Sequence, residues 1–556
     1  MRLLGDQLTM MQRAKQTVKT LVVVTLFTLM GNLVDDFYTN PPSPAFIMSR
    51  VRHLVSTLSP VDSNDQFITF DLSPSEPSLP KDFKPLIIHM FRAYHDTRLV
   101  ADRTRVTALL LVENSAVSHI SSPDRPQLQE LFCLVNETNV KALVHKMGIM
   151  YKFQYKGAIF GEFILRCEIN TTQPVENFQI VWNKQRSPVL PVEQISRPRE
   201  KRALGFCGSN WYHIRGQEST SVSTLIEWFE YHKYMGVEKF HVRVSTEEGA
   251  AMAPEALSLV QLYREMGVVE LQPAITIPTP SGNHSFFSPD DDYPSSTPLS
   301  VESQLWVKSQ SLQLVGLNDC LHRNMFKYQH ILIIDTDELL VTDRIVPKAL
   351  TQLVQNVTES TGLIANLRFR ERRFYKNCDQ FVNTTQSPLV EFNGSLVKQT
   401  NLLKFKSYAK SYLDSADSKT WRNPNAKSII CPEVCAMTSA HRCTQTLEEY
   451  SLNQARSTMK RGTLQIRQVN DKIEKQRRRN IYFLDPRHFG VHHYRQVDGV
   501  RDKGIPPKEM IAQYCEKVRH KSANWELGRA NMRGVVEIGH NIQYMEHVLG
   551  VSQIRT

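Results

Sequence analysis

The stretch Ile331-Leu-Ile-Ile-Asp-Thr-Asp-Glu338 decides the fold prediction and locates a site within it. Its first half is an apolar, branched run that is typical of a buried β-strand. Its second half places three carboxylates, Asp335, Asp337 and Glu338, within four residues. Because ligands of open α/β sheets bind beyond the carboxyl ends of the strands, we predict a buried strand with a ligand site where it ends.

The carboxylates of this stretch indicate a divalent metal. Clustered carboxylates repel one another unless a cation or a proton lies between them. Oxygen ligands favour Mg²⁺ or Mn²⁺, which proteins commonly share with the phosphates of a substrate. The alternative is the acidic first turn of a helix. The run Asp290-Asp291-Asp292 has the same spacing but lies in a Pro/Ser-rich segment, and we interpret it as a solvated loop.

The sequence before this stretch alternates between helical and strand patterns. Helices are predicted where apolar residues recur at helical spacing, and strands where short apolar runs lie between them. The predicted elements are, in order, the helix Ser221–Met235, the strand Lys239–Val244, the helix Pro254–Met266, the strand Val268–Gln272, the helix Val301–Arg323 and the strand Tyr328–Ile334. Such alternation predicts an α/β sheet in a domain that spans residues 203–550.

A second folded region precedes this domain. Between residues 81 and 186 short apolar runs recur between turn signals and predict a small β-rich domain. Residues 187–202 are rich in proline and basic residues and are predicted to link the two domains. Their end, Arg199-Glu-Lys-Arg202, is typical either of an exposed linker or of a dibasic processing site for a luminal convertase.

The N-terminus has the pattern of a membrane anchor. An apolar, uncharged run begins at Thr20, with basic residues before it and acidic residues after it. Because positive charge stays on the cytosolic side, we predict a cytosolic tail at 1–19, a transmembrane signal anchor at 20–38 and a luminal stem at 39–80. A cleaved signal peptide is the alternative, although no small-x-small cleavage site follows the run.

Cysteines and glycosylation sequons agree with a luminal location. All nine cysteines follow the apolar run, and so do six Asn-x-Ser/Thr sequons, at Asn136, Asn170, Asn283, Asn356, Asn383 and Asn393. The group Cys431, Cys435, His441 and Cys443 has a spacing compatible with zinc, but disulfides are the expectation in an oxidising compartment. The expected location is the Golgi or ER membrane, with single-pass type II topology.

The basic charge of the chain does not indicate nucleic acid. The formal net charge is +11, but basic residues are spread along the chain and the usual nucleic-acid-binding signatures are absent from the sequence. The one dense basic run, Arg477-Arg478-Arg479, is interpreted as a solvated helix face or loop.

A series of motifs runs in order along most of the chain. They are Phe91-Arg-Ala-Tyr-His-Asp96, Arg105-Val-Thr-Ala-Leu109, Cys207, Leu225-Ile-Glu-Trp-Phe-Glu-Tyr-His-Lys-Tyr-Met-Gly236, Gln313 with Asn318-Asp-Cys320 and Arg323, Asp335-Thr-Asp-Glu338, Lys427-Ser-Ile-Ile-Cys-Pro432 with His441, and His492-His-Tyr-Arg495. In order and spacing this series resembles glycosyltransferase family 92 from about Pro85 to Arg495.

The resemblance implies a GT-A type fold, which is a Rossmann-like mixed sheet. It also implies transfer of a hexose from a UDP-sugar to a glycan or glycoprotein acceptor, with inversion at the anomeric carbon. UDP-galactose is the expected donor, and Mn²⁺, or Mg²⁺, the expected ion. Two departures bear on sugar specificity: Ala274 stands where the family usually has Trp, and the strand Phe240–Val244 lacks the Tyr expected near its end.

The metal ligands are predicted from chemistry as well as from the resemblance. Asp337 is expected to bind the ion directly, and Asp335 to support both the ion and the ribose of the donor. His493 is predicted as the ligand from the C-terminal part of the domain, because neutral imidazole suits Mn²⁺ and adds no repelling charge. His492 and His441 are the alternatives.

The remaining predicted site residues are a donor-binding set and two carboxylates. Lys427, Tyr494 and Arg495 are expected near the phosphates of the donor, where cations stabilise the charge on a departing diphosphate. Inversion also needs a general base for the acceptor hydroxyl. Glu338 and Asp319 are the nearest carboxylates in the sequence, and each is either catalytic or structural.

Two other functions compete with this interpretation. A glycoside hydrolase would use paired carboxylates without a metal, so that sensitivity to EDTA separates it from a transferase. A catalytically inactive glycan-binding protein would retain the fold alone. The presence of both Asp335 and Asp337 counts against the inactive protein.

Overall fold

The structure, a computed structural model, describes residues 67–71, 87–98, 104–113, 131–147, 153–155, 158–169, 171, 173–182, 184–211, 222–244, 254–275, 312–342, 345–369, 371–375, 389–392, 395–398, 427–449, 451–452, 464–484, 489–495, 538–542 and 545. The strands and helices given below lie in one compact unit, Pro60–Gln543. The predicted tail, the signal anchor and most of the stem fall outside the described residues. Within those residues, no helix is both long and apolar enough to cross a membrane.

Strands predominate among the described elements. The strands are β1 (Ile68–Asp71), β2 (Ile87–Asp96), β3 (Thr104–Glu113), β4 (Phe132–Val135), β5 (Thr138–Lys141), β6 (Leu143–Lys146), β7 (Phe153–Tyr155), β8 (Ala158–Ile169), β9 (Asn177–Trp182), β10 (Gln185–Arg186), β11 (Leu190–Gln194), β12 (Arg202–Trp211), β13 (Lys239–Val244), β14 (Val269–Pro273), β15 (Tyr328–Ile333), β16 (Glu338–Val341), β17 (Asn366–Phe369), β18 (Glu371–Tyr375), β19 (Leu389–Phe392), β20 (Ser395–Lys398), β21 (Lys427–Ile430), β22 (Cys435–Thr438), β23 (Cys443–Thr446), β24 (Ile481–Phe483) and β25 (Gly490–Arg495). The helices are α1 (Val222–Met235), α2 (Pro254–Glu265), α3 (Gln313–Arg323), α4 (Ala349–Thr361) and α5 (Leu464–Arg479).

The first sheet has 11 strands, in the order β5-β4-β9-β11-β2-β3-β8-β6, with β1, β10 and β7 paired to β2, β9 and β8. Its central strand β3 is buried along its whole length, because apolar clusters cover both faces of the sheet. Ala108 belongs to one cluster and Leu109 to the other, as the two-residue period of a strand requires. Strands β2–β10 fall within the segment that was predicted to be β-rich.

The second sheet has seven strands, in the order β14-β13-β12-β15-β21-β17-β24. All of its pairs are parallel except the two that β21 makes. The first four strands of this sheet along the chain, β12 to β15, lie side by side in the order β14-β13-β12-β15. The order therefore reverses between β12 and β15, and ligands of doubly wound sheets bind at such a switch point, beyond the carboxyl ends of the strands. The predicted mixed α/β architecture is confirmed.

A three-stranded sheet, β16-β25-β18, continues from the carboxyl end of β15. β16 begins at Glu338, a few residues after β15 ends, and pairs antiparallel with β25. This small sheet brings the C-terminal segment Gly490–Arg495 beside the acidic stretch.

The two large sheets pack against each other through α3. Tyr94, Leu109 and Ile164 of the first sheet share an apolar cluster with Leu314 and Val315 of this helix. The predicted linker 187–202 contains β11, which pairs with β2 in the first sheet, and ends where β12 begins. The proposed domain boundaries remain predictions.

Among the described cysteines, disulfides connect Cys133 to Cys167, Cys207 to Cys320 and Cys435 to Cys443. Cys435 and Cys443, which belong to the group with a spacing compatible with zinc, are thus bonded to each other. The expectation of disulfides is confirmed. Cys431 is a free, buried thiol. Cys378 and Cys515 lie outside the described residues.

Candidate active site

The acidic stretch forms a turn at the carboxyl end of β15. Residues 331–334 are buried, whereas Asp335, Thr336 and Asp337 are partly exposed. The turn closes with a hydrogen bond from the Glu338 amide to the Asp335 carbonyl (3.2 Å). The two aspartates therefore lie at the switch point of the sheet, where the fold leaves a ligand site.

Glu338 lies inside this turn rather than at its surface. Its side chain is 1% exposed, and Oε2 accepts a hydrogen bond from the Asp335 amide at 2.9 Å. A carboxylate that accepts from the amide three residues earlier fixes the shape of the turn, as the glutamate of a capping box does. The geometry favours the structural role over the catalytic one for Glu338.

Lys427 places a buried cation beside the turn. Its ammonium is buried and lies 2.6 Å from Asp335 Oδ2 and 3.1 Å from Glu338 Oε2. Burial opposes the charge on Lys427, but the two carboxylates outweigh burial and raise the pKa of the ammonium above its ordinary value. Lys427 thus stays charged beside Asp335, whose own side chain is 45% exposed.

Helix α1 contacts the main chain of the turn from the buried side. The indole Nε1 of Trp228 donates to the carbonyl oxygens of Asp335 (3.1 Å) and Glu338 (3.0 Å). One turn of helix later, the Tyr231 hydroxyl donates to the Leu340 carbonyl in β16 (2.8 Å). The sequence analysis identified Trp228 and Tyr231 only as members of a motif that the family resemblance rests on. A buried Trp needs a hydrogen-bond acceptor, but the sequence does not say which one.

Strand β25 places the predicted C-terminal residues next to the turn. His493 stands opposite Glu338 in the antiparallel register, and His492 opposite Leu339. Opposed residues of such a pair have Cα atoms about 5 Å apart, so the main chain of His493 lies one strand from the acidic turn. Tyr494 and Arg495 follow in the same strand, opposite residues of β18. The side chains of residues 492–495 are not among those described.

His441, the other predicted alternative, lies beside the same edge of the sheet. Its carbonyl oxygen accepts a hydrogen bond from the Ser428 hydroxyl at 2.8 Å, next to Lys427. Within the part of the chain whose side chains are described, no group of three or more His, Cys, Asp and Glu residues is arranged to hold a metal. The assignment of His493 as a ligand stays a prediction.

Asp319 lies in a different environment, on α3 at the junction of the two large sheets. Its carboxylate is fully buried and is bonded to the Tyr94 hydroxyl and to the guanidinium of Arg243, with Arg323 Nε at 3.1 Å. Burial alone would raise the pKa of Asp319, but Arg243 and its neighbouring arginines hold it below its usual range. A carboxylate in this condition is a poor proton acceptor, which favours the structural alternative.

Comparison with known proteins identifies the family of this chain. A search of curated proteins finds none that matches it. The family model described as glycosyltransferase family 92 matches residues 203–522, which is more than half of the chain and includes the turn, Lys427 and β25. The match begins at the start of β12 and leaves out the first sheet. The chain belongs to glycosyltransferase family 92.

Proposed function

We propose that this chain transfers galactose from UDP-galactose to a glycan acceptor, with inversion, in the lumen of the secretory pathway. The observation that supports this best is the acidic turn at the switch point of the second sheet. Its aspartates are partly exposed, and a buried lysine holds one of them. This is the place where a GT-A type fold binds the diphosphate of a nucleotide-sugar, as the family resemblance implies.

The chemistry of the turn fits a divalent metal. Asp335 and Asp337 supply oxygen donors, which suit Mn²⁺ and Mg²⁺, and both are open to solvent. His493 is proposed as the third protein ligand because β25 pairs it with Glu338. A bound ion would offset the negative charge that develops on the departing diphosphate.

Lys427 is proposed to add a fixed positive charge to the same region. Its ammonium contacts Asp335 from a buried position, so its charge is only weakly screened by water. Its contacts with Asp335 and Glu338 hold both carboxylates in place before the donor arrives. Tyr494 and Arg495, in the strand that pairs with β16, are proposed to contribute to donor binding.

The general base is proposed to be neither Glu338 nor Asp319. Both carboxylates are buried and held by cations or by the main chain. A base must reach the hydroxyl from which it removes the proton, in a conformation close to the reacting one. We assign Glu338 to the shape of the turn and Asp319 to the junction of the sheets.

The luminal location is supported by the disulfides. Such bonds form and persist in oxidising compartments and are rare in the cytosol. Cys207–Cys320 joins β12 to α3 within the family-matched part, and Cys133–Cys167 lies in the first sheet. We propose the Golgi or ER lumen, with the segment 20–38 as the anchor.

A donor screen tests the proposal. The full chain, purified in detergent, is incubated with Mn²⁺, a panel of UDP-sugars and a mixture of glycan acceptors, and released UDP is measured. Acceptor-dependent UDP release from UDP-galactose, lost on addition of EDTA, is expected. Glycan hydrolysis that survives EDTA would favour the hydrolase. Glycan binding without turnover of any donor would favour the inactive glycan-binding protein.

A further inference from the structure

We propose that Trp228 is a positioning residue for the donor site, acting through the main chain of the acidic turn. The inference rests on the proposed function, in which Asp335 and Asp337 bind a metal–nucleotide complex. Trp228 does not touch the donor itself. It lies on α1, and its indole N–H is shared between the Asp335 carbonyl at 3.1 Å and the Glu338 carbonyl at 3.0 Å.

The two acceptors of this N–H are the residues that bracket the turn. Asp337 lies between them, and Asp335 is itself one of them. Two further hydrogen bonds close the turn. The Glu338 amide donates to the Asp335 carbonyl, and the Asp335 amide donates to Glu338 Oε2. The indole bonds hold the main chain of the turn against α1, whereas Lys427 of β21 holds the carboxylates of Asp335 and Glu338. Loss of the N–H therefore removes the contacts of α1 with the two carbonyl groups on either side of Asp337.

The indole is itself held rigidly. Trp228 is 1% exposed, and its ring packs against Phe206 (4.9 Å between centroids), Phe240 (5.4 Å) and His232 (4.7 Å). Side chains in such a close-packed interior keep one rotamer on average. The position of the N–H is therefore set by α1 and the second sheet. Through its hydrogen bonds, the N–H in turn fixes the position of the main chain of the turn.

Loss of the N–H should affect the site more than the fold. Ligands of a metal must be held within about 0.5 Å of the productive geometry, and groups that orient them change affinity by about 10- to 100-fold. A residue that only fills the core would change the thermal midpoint without changing the affinity of the folded protein for its ligands. The two roles are thus separable by binding measurements.

The test compares ring substitutions in the full chain. Trp228→Phe removes the N–H and part of the ring, whereas replacement of Trp228 by benzothienylalanine removes the N–H and keeps the ring shape. The matched control is Trp182→Phe, because Trp182 is a buried tryptophan on β9 of the first sheet, outside both α1 and the second sheet. Tyr231→Phe removes the neighbouring bond to β16 and serves as a second control. Binding of Mn²⁺ in the presence of UDP is followed by the electron paramagnetic resonance signal of free Mn²⁺, with thermal midpoints measured without metal.

We expect the affinity for Mn²⁺ with UDP to fall about tenfold or more in both Trp228 variants. Both control variants should bind as the unchanged chain does, whatever their thermal midpoints. Unchanged affinity in the benzothienylalanine variant would overturn the inference and leave the proposed function intact. If the unchanged chain does not bind Mn²⁺ with UDP, the proposed function fails, and the inference fails with it.

Discussion

At the scale of single residues, the charged groups around the turn and those around Asp319 are arranged in opposite ways. At the turn, the ammonium of Lys427 contacts two carboxylates, Asp335 and Glu338, and Asp335 remains half-exposed. At the junction of the sheets, the single carboxylate of Asp319 is surrounded by arginines, including Arg243, and is fully sealed from solvent. The first arrangement leaves one carboxylate partly exposed, whereas the second leaves its carboxylate with no exposed surface.

Asp337→Asn should abolish transfer without weakening the fold. The amide keeps the size of the side chain but removes the charge that a divalent ion needs. We expect UDP release to fall at least about 100-fold, in the range seen when one preorganised electrostatic group is lost. The thermal midpoint without metal should stay close to that of the unchanged chain. Asp291→Asn, in the other run of aspartates, is the matched control and should retain full activity.

Lys427→Met should destabilise the folded protein at neutral pH. It leaves the buried carboxylate of Glu338 without its ammonium, and removal of one partner of a buried ion pair costs about 3 kcal/mol. The free energy of unfolding, from urea denaturation, measures the loss. Addition of Glu338→Gln should recover much of it, because glutamine is neutral and can still accept from the Asp335 amide. A double variant as unstable as Lys427→Met would contradict this account.

At the scale of elements, much of the second sheet could be predicted from the sequence. The predicted strand Lys239–Val244 is observed unchanged, and the helix before it starts one residue later than predicted. These elements could be predicted because hydrophobic periodicity and the glycines at helix ends are local signals in the sequence. The pairing of the first sheet is not local. β11 pairs with β2, about a hundred residues away, and its proline-rich sequence predicted a linker instead.

For the site as well, residues adjacent in the sequence could be placed, whereas residues brought together by distant strands could not. The acidic turn could be located because a strand and its carboxylates are adjacent in the sequence. Lys427 was named because of the family resemblance, and His493 was named on that ground and because neutral imidazole suits Mn²⁺. Their places beside the turn depend on β21 and β25, which pair with β15 and β16 from far along the chain. The contact of Trp228 with the turn has no sequence signal beyond the need of a buried indole for an acceptor.

Helix α3 begins without a capping side chain of its own, and Glu162 of the first sheet supplies one. Leu312 precedes the helix and makes no side-chain cap, but Glu162 Oε1 accepts from the Val315 amide at 2.9 Å. Burial raises the pKa of Glu162 from its ordinary 4.5 to about 8, although the helix amides oppose the shift. The helix that joins the two sheets therefore starts on a buried acid that is protonated at neutral pH.

The stability that Glu162 contributes should fall as pH rises. Because its pKa is raised in the folded state, the contribution is complete below pH 4.5 and is lost progressively up to about pH 8. Glu162→Gln keeps an acceptor for the Val315 amide and cannot ionise. We expect its thermal midpoint to fall less between pH 5 and 8.5 than that of the unchanged chain. Glu176→Gln, at an exposed position, should keep the full slope, and equal slopes in all three proteins would refute the role of Glu162.

At the scale of the whole molecule, the first sheet makes hydrogen bonds with the family-matched residues 203–522. Arg98, two residues after the end of β2, donates to the Cys435 carbonyl (2.6 Å). Arg166 of β8 donates to the Ala436 carbonyl (2.5 Å) and to Gln445 (2.8 Å). Both arginines reach the disulfide-bonded β22–β23 hairpin, which belongs to the family-matched residues. A truncated version of the protein should therefore include the first sheet.

The dibasic sequence before β12 should resist processing in the folded protein. Arg202 is the first residue of β12 and pairs with Tyr328, and its amide donates to the Lys327 carbonyl (2.9 Å). The Ala203 amide, on the other side of the bond that a convertase would cut, donates to Glu238 Oε1 (2.7 Å). A protease needs an extended, unpaired segment, so cleavage here requires local unfolding of a central strand. Purified convertase should leave the native chain intact and cut it after Arg202 only once it is heated past its unfolding transition. A fragment that begins at Ala203, found by N-terminal sequencing of folded protein, would show that β12 opens far more easily than its pairing on both sides indicates.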